Sequence, residues 1–408
     1  MARGAAAPAG TVGDAGLSLY RLLAPELRED PYPLYHRLRA EDPVHWDPFL
    51  HTWVVTAHEP VMSVLQDFSA ARTPSPELLA SLGLEALTPI ARVMVRQMLY
   101  MDPPEHTRVR MIVAKGFTPP RVDALRERIA AVVDELLTHA ARAGGFDVIA
   151  DFARPLPAIV SCEMLGLPTV DWPRLSEWTR AFAELLGNFQ HGPVRAARLR
   201  GAVASITEYF EGALRDRARR PVGLLDALVG DGLSDDEAVA NAIITLVGGL
   251  ETTTNLIGNG LLALLRHSDQ WARVRDEPAC IPAAVEELLR YDSPIQHTAR
   301  VAVETVTLAG RRIERQQAVI AVLAAANRDP AVFPDPDRLD IERAANRHLA
   351  FGFSTHHCFG APLARLEAQL AFTALADRLG PVAAPATVTW RADAGAFRGL
   401  ESLPLPLR

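Results

Sequence analysis

The stretch from Ser234 to Arg266 constrains this 408-residue chain more than any other. Ser234-Asp235-Asp236-Glu237 has the spacing of a capping box, which opens a helix, and a helical pattern then runs without a stop to about Arg266. At 1.5 Å per residue, some 30 residues make a rod of roughly 45–50 Å, long enough to cross a whole domain. The fold therefore has to be built around it. Its middle, Ala242-Ile243-Ile244-Thr245-Leu246-Val247, is apolar, and then Gly248-Gly249-Leu250-Glu251-Thr252-Thr253-Thr254-Asn255 breaks the rules of a buried helix. Two interior glycines cost roughly 1 kcal/mol each relative to alanine. A carboxylate in an apolar helix is costly unless something pairs with it. Local conflict inside a long regular element marks a functional distortion, such as a groove opened beside a ligand. A packing glycine pair with a surface glutamate is the plainer reading.

The rest of the chain fits a mainly helical protein with a small β part. Val44-His45-Trp46 and Thr52–Thr56 read as two strands, 58–68 as a short helix, 121–143 as an amphipathic helix and Ile281–Arg290 as another; residues 300–323 alternate as strands, and weak strands end the chain. Residues 70–98 show little periodicity, and long irregular loops in compact domains are often functional. Residues 1–17 read as a disordered lead-in, and 18–408 as one domain. Hydrophobic residues make up 49% and the net charge is −7, so a large core is available. A nucleic-acid binder would carry the opposite balance. No run reaches the roughly 18 apolar residues of a membrane span. The three cysteines, Cys162, Cys280 and Cys358, are odd in number and far apart, which fits a reducing cytoplasm rather than a disulfide framework.

The second unusual stretch is Phe351-Gly352-Phe353-Ser354-Thr355-His356-His357-Cys358-Phe359-Gly360, followed at once by the helical run Ala361-Pro362-Leu363-Ala364-Arg365-Leu366-Glu367. Amides at a helix N-terminus favour a thiolate. Four readings are open. Structural zinc wants four ligands in spaced pairs, and no second pair is present. A Cys–His nucleophile lacks a recognisable surrounding signature. A buried cysteine is the plain default. A single thiolate to haem iron makes further demands: cations for two carboxylates, and an open groove on the opposite face. His106 and Arg110, at i and i+4 on a helix started by Asp102-Pro103-Pro104-Glu105, can grip an anion, and the interrupted long helix can supply the groove.

These residues resemble a cytochrome P450 of the soluble bacterial type, over nearly the whole chain from Asp30-Pro31-Tyr32 onward. Phe351 to Gly360 is similar to the family's haem-binding signature, with Cys358 at the thiolate position. Gly248-Gly249-Leu250-Glu251-Thr252 is similar to the central-helix signature, and Glu287-Leu288-Leu289-Arg290 to the Glu-x-x-Arg signature. Asp102-Pro103-Pro104-Glu105-His106 and Asn327-Arg328-Asp329-Pro330 match bacterial members too. One departure is Ser354, where the family usually has glycine; if the position needs a positive φ, serine is strained there.

The resemblance implies the cytochrome P450 fold, with haem b (iron protoporphyrin IX) held between the long central helix and the cysteine loop. Cys358 would ligate the iron, Phe351 and Gly360 would pack around it, and His106, Arg110, Arg300 and His356 would hold the haem carboxylates. Gly248 and Gly249 would leave room over the haem, and Glu251 with Thr252 would form the acid–alcohol pair that delivers protons to dioxygen. Glu287 and Arg290 would be a structural ion pair. Substrate contacts are expected from Thr245, Leu246, Ile295, Gln296, His297, Ala396 and Phe397. The activity implied is a monooxygenase that hydroxylates or epoxidises a hydrophobic small molecule in secondary metabolism. Oxidative coupling or ring formation without oxygen insertion is the alternative, and a non-enzymatic haem sensor a third reading, disfavoured by the acid–alcohol pair. Electrons are expected from a ferredoxin and its reductase, docking on Arg108, Lys115, Arg121 and Arg365. A cytoplasmic monomer without nucleic-acid or membrane partners completes the expectation.

Overall fold

A computed structural model describes residues 16–81, 83–143, 145–186, 193–216, 220, 222–392 and 395–407. The expected lead-in lies outside these apart from Gly16 and Leu17, and Leu17 is already buried in the core. The elements that position the site are the helices α1 (Tyr32–Glu41), α2 (Glu105–Val113), α3 (Arg126–Ala143), α4 (Pro155–Leu165), α5 (Trp172–Leu185), α6 (Pro193–Arg215), α7 (Asp235–Arg266), α8 (Ile281–Tyr291) and α9 (Ala361–Leu379), with the strands β1 (Val44–Asp47), β2 (Thr52–Val55), β3 (Thr298–Val301), β4 (Ala318–Ala321), β5 (Thr389–Trp390) and β6 (Leu400–Ser402).

The long helix forms as its sequence dictates. The Ser234 hydroxyl accepts from the Glu237 amide, and the Glu237 carboxylate accepts from the Ser234 amide. Three acidic residues in the first turn complement the helix dipole. α7 runs through the middle of the molecule and packs against α4, α5, α6, α8 and α9, which is why its apolar residues are buried on nearly every side. Close packing explains two later glycines: a Cβ at Gly258 would lie 2.5 Å from Ile149, and one at Gly260 would lie 2.8 Å from Phe372 on α9.

β1 and β2 form an antiparallel hairpin, β2 pairs in parallel with β4, and β4 pairs antiparallel with β3, giving the order β1-β2-β4-β3. In this register Arg300 stands opposite Val319. Residues 70–98, expected to be irregular, contain two short helices, Pro76–Ser81 and Thr88–Met94. Glu287 and Arg290 on α8 are fully buried and joined by two hydrogen bonds of 2.8 Å. The remaining guanidinium donors reach the carbonyls of Asn327, Pro336 and Arg338, and Glu287 also accepts from Arg343, Asn346 and the Asp340 amide. The pair thus locks α8 to the segment that leads into the cysteine loop. Among the described residues no helix is long and apolar enough to cross a membrane.

Candidate active site

The cysteine loop is built by short backbone bonds. The Gly352 amide donates to Leu349, His357 to Ser354, and Cys358 to the Phe351 carbonyl at 2.8 Å. Gly352 has φ +72° and Ser354 has φ +58°, so the serine does occupy the left-handed region that glycine accepts without strain. Gly360 caps α9, and a Cβ there would come to 3.8 Å of the Cys358 sulfur. Burial pushes the Cys358 thiol up; the Gly360 amide, then Arg110, the Ala361 amide and Arg365 oppose that by favouring the thiolate. Arg365 is held by Glu286 at 2.7 and 2.8 Å and lies over the Phe351 ring, 4.5 Å from its centre. His356 and His357 do not join the cysteine in a metal-binding set: among the described residues no three His, Cys, Asp or Glu side chains cluster in that way.

Beside the loop sits a cationic cluster. The rings of His106 and His356 are 4.2 Å apart. Arg300, 3% exposed, comes in from β3. Among the described residues, the buried Nδ1 of His106 and Nε of Arg300 have no hydrogen-bond partner. Burial first, and then the Arg300 charge, lower the His356 imidazole to about 3; burial and then Arg110 also lower His106. Arg110 turns from this group toward the loop and donates to the His357 carbonyl at 2.6 Å.

The interrupted part of α7 faces three ways. A Cβ on Gly248 would enter open space, whereas one on Gly249 would stand 3.1 Å from the Ser161 hydroxyl of α4. Only Gly248 therefore leaves room; Gly249, expected to do the same, is a helix-packing glycine. The Thr252 hydroxyl donates back to the Gly248 carbonyl at 2.5 Å, a bond that bends helices. Glu251 is buried and has the partner its position demands: Arg391, equally buried just after β5. Next in sequence, Thr253 faces Glu367 of α9, whose carboxyl is raised by burial to about 8 and so is neutral at pH 7.

Of the expected substrate contacts, Leu246 has no exposed surface and belongs to the main core. Gln296 points into the N-terminal part of the molecule, its amide spent between the Ser293 carbonyl and the Tyr35 hydroxyl. Both are packing residues, which corrects the expectation. Thr245 is half-buried, with a hydroxyl that has no partner among the described residues. Ile295 bridges to Phe397, and the Gln296 amide donates to the Ala396 carbonyl at 2.7 Å. His297 is buried and lowered by that burial to about 4. No sequence motif singles out Arg391 or Glu367. Nothing local marks Arg391, but Glu367 was visible as an acid among Leu363, Leu366 and Leu370.

One cysteine sulfur with amides and arginines that favour its thiolate, buried donors beside it without acceptors among the described residues, and an open notch in a long helix are the parts of a haem-thiolate site, and the orphaned donors fit carboxylates of a bound group. The cytochrome P450 family model matches residues 172–380. The biotin biosynthesis cytochrome P450 of Bacillus subtilis is 37% identical over 93% of this chain and 97% of its own length. Cytochrome P450 monooxygenase PikC of Streptomyces venezuelae is 39% identical over 95% and 93%. The crystal structure of P450BioI in complex with an acyl carrier protein carrying hexadec-9Z-enoic acid matches with a TM-score of 0.87 at 36% identity, covering 94% of this chain and 99% of that one. The chain belongs to the cytochrome P450 family and is a bacterial-type monooxygenase, an oxidoreductase that uses molecular oxygen with haem iron.

Proposed function

We propose that this enzyme inserts one oxygen atom into a hydrophobic small molecule of secondary metabolism, by hydroxylation or epoxidation. Its cofactor is haem b and its electrons come from a ferredoxin with its reductase in the cytoplasm. The observation that carries the reading is the Cys358 sulfur in its loop beside His106 and Arg300, whose buried nitrogens lack acceptors among the described residues. Haem supplies the oxygen-activating chemistry when bound, and a thiolate ligand favours O–O cleavage. The chain's own residues do the rest. Cys358 gives the sulfur, and the amides of Gly360 and Ala361 temper its charge. His106, Arg300 and His356 hold the two carboxylates by charge-assisted bonds. Gly248 keeps the space above open.

Glu251 and Thr252 move protons into that space. In the present form both are held: Glu251 by Arg391, and the Thr252 hydroxyl by the Gly248 carbonyl. Proton delivery therefore requires the hydroxyl to rotate off the carbonyl and the carboxylate to exchange its partner for water. Thr245, Ile295, His297, Ala396 and Phe397 are the substrate contacts that remain. Relatives that act in polyketide and biotin biosynthesis support an apolar substrate. On the electron side, Arg108 is paired with Glu237, Lys115 with Asp231 at 3.0 Å and Arg365 with Glu286. Arg121 is exposed. A ferredoxin docking here exchanges its own carboxylates for those partners, so reversing the charge of Lys115 and Arg121 together raises its KM; an unchanged KM removes the patch from the proposal.

The reduced carbon monoxide difference spectrum tests the centre of the reading. The Soret band is expected far to the red of a histidine-ligated haem, and Cys358→His is expected to abolish the displacement. Haem bound without that displacement overturns the assignment. Product analysis under labelled dioxygen separates oxygen insertion from oxidative coupling, which adds no label.

A further inference from the structure

The cationic cluster is larger than the motifs predict. Just before the irregular segment 70–98, Ser69 pairs with Val301 at the end of β3, amide to carbonyl in both directions at 2.9 Å. This bridge brings Arg72 beside the same cluster as Arg300. The Arg72 guanidinium lies over the Tyr100 ring, 4.4 Å from its centre, and donates to the carbonyls of Ala70 and Leu99 at 3.0 and 3.4 Å. Among the described residues no carboxylate pairs with Arg72 or Arg300. Among the described residues Asp102 is the acid whose charge reaches both guanidinium groups, and it also accepts from the Ser69 hydroxyl and from the Ala70 amide at 2.8 Å. Next to Arg72, the buried Thr73 hydroxyl has no partner among the described residues either.

Two guanidinium groups share one carboxylate, Asp102, whose charge favours both and balances only one, so the cluster is short of negative charge. Burying like charges together is unfavourable unless an anion joins them. The repulsion is visible at Arg300, which burial and then the Arg72 charge lower to about 10. A haem brings two carboxylates to this place, and one expected holder, Arg110, is turned to the loop carbonyl of His357.

We propose that Arg72, with the Thr73 hydroxyl, is a further holder of the haem carboxylates, and that haem loading thereby fixes the start of the segment that lines the substrate side. The inference rests on the haem reading above. Occupied by a carboxylate, Arg72 anchors residues 69–76 to the cofactor; without one, the segment is tied by the Ser69–Val301 bridge, the bonds to Asp102 and the Arg72 contacts with the Leu99 carbonyl and the Tyr100 ring. Cofactor content and the order of the substrate-side loop are then one equilibrium.

The test is haem release from full-length holoprotein to excess apomyoglobin, for the native chain, Arg72→Gln and Arg72→Lys. A charged hydrogen bond is worth ~1.5–3 kcal/mol, so Arg72→Gln is expected to release haem roughly tenfold to a hundredfold faster, with Arg72→Lys in between. Hydrogen exchange of residues 69–76 is expected to slow when haem binds to the native chain and to stay fast in holo Arg72→Gln. A merely structural Arg72 predicts something else: haem-free Arg72→Gln would unfold more easily than the haem-free native chain, whereas relief of repulsion leaves it as stable or more stable. Release within twofold of native, or loss of stability confined to the haem-free form, overturns the proposal. If the native chain itself shows no thiolate spectrum, the haem reading fails as a whole, which is a distinguishable result.

Discussion

Ser354 sits at φ +58°, four residues before the thiolate, and is exposed. The left-handed region costs an L residue ~1–2 kcal/mol. Glycine removes that cost but enlarges the unfolded ensemble, which gives back about 0.4–1 kcal/mol. Ser354→Gly is therefore expected to stabilise the protein by about 0.5–1 kcal/mol. A β-branched residue is a severe outlier at positive φ, so Ser354→Val is expected to lose about 1 kcal/mol or more, leaving roughly 2 kcal/mol between the two variants. With an unfolding entropy near 2.1 cal/mol/K per residue and 408 residues, that gap amounts to about 2 °C in Tm. Denaturant titration of the three proteins side by side resolves it better than heating alone. The order Gly, Ser, Val is the expected result; equal stabilities, or Val above Gly, would refute the left-handed assignment. Because the side chain is exposed, Ser354→Gly should also leave the reduced carbon monoxide spectrum in place. A moved band would mean that the hydroxyl reaches the sulfur environment after all.

Four other outcomes follow from the same geometry. Glu287→Ala leaves Arg290 and Arg343 as buried charges without their acid, and breaking a buried pair from one side costs ~3–5 kcal/mol; a loss under about 1 kcal/mol in denaturant titration would show that the network does not hold α8. Glu367 titrates near 8 in the folded chain, above the ~4.3 of an unfolded glutamate, so the folded state binds the extra proton. The stability it contributes is complete below the unfolded value and is lost as pH rises toward 8; Glu367→Gln should therefore gain on the native chain steadily between pH 5 and 8, and parallel pH curves would exclude a buried neutral acid. Gly248→Ala should raise stability by up to about 1 kcal/mol through helix propensity while blocking ligand-induced spin-state change. Gly249→Ala presses on Ser161 and should gain less unless combined with Ser161→Gly, a coupling measurable by a double-mutant cycle.

What could be read from the sequence, and what could not, divides by distance along the chain. The capping box at Ser234, the length of α7, the β1–β2 hairpin and the cysteine loop are set by neighbours a few positions apart, and all are present. Two corrections were within reach of elementary geometry. Successive residues on a helix point about 100° apart, so Gly248 and Gly249 cannot both open the same space. Successive residues in extended chain point to opposite sides, so Gln296 had to face away if Ile295 and His297 face the site. Other features join residues far apart in sequence. Glu251 announced that it needed a partner, but that partner is Arg391, 140 positions later. Arg72 reaches the cation cluster only because Ser69 happens to bridge Val301.

These long-range additions share a logic that the local motifs do not display. The haem-thiolate motifs specify charged groups at the centre, and a charge buried there is tolerable only when something of opposite sign reaches it. For Glu251 the chain supplies a cation from beside β5, so the acid is compensated from within and must be released to act. For Arg72 and Arg300 the described residues supply Asp102 and no second anion, so further compensation has to arrive from outside. One side of the site is thereby complete before loading, and the other is completed by the cofactor. On this argument mutations at Arg391 should alter turnover more than haem retention, and mutations at Arg72 the reverse. If both variants changed the same quantity by the same factor, the division of the site into a self-compensated and a cofactor-compensated side would be wrong.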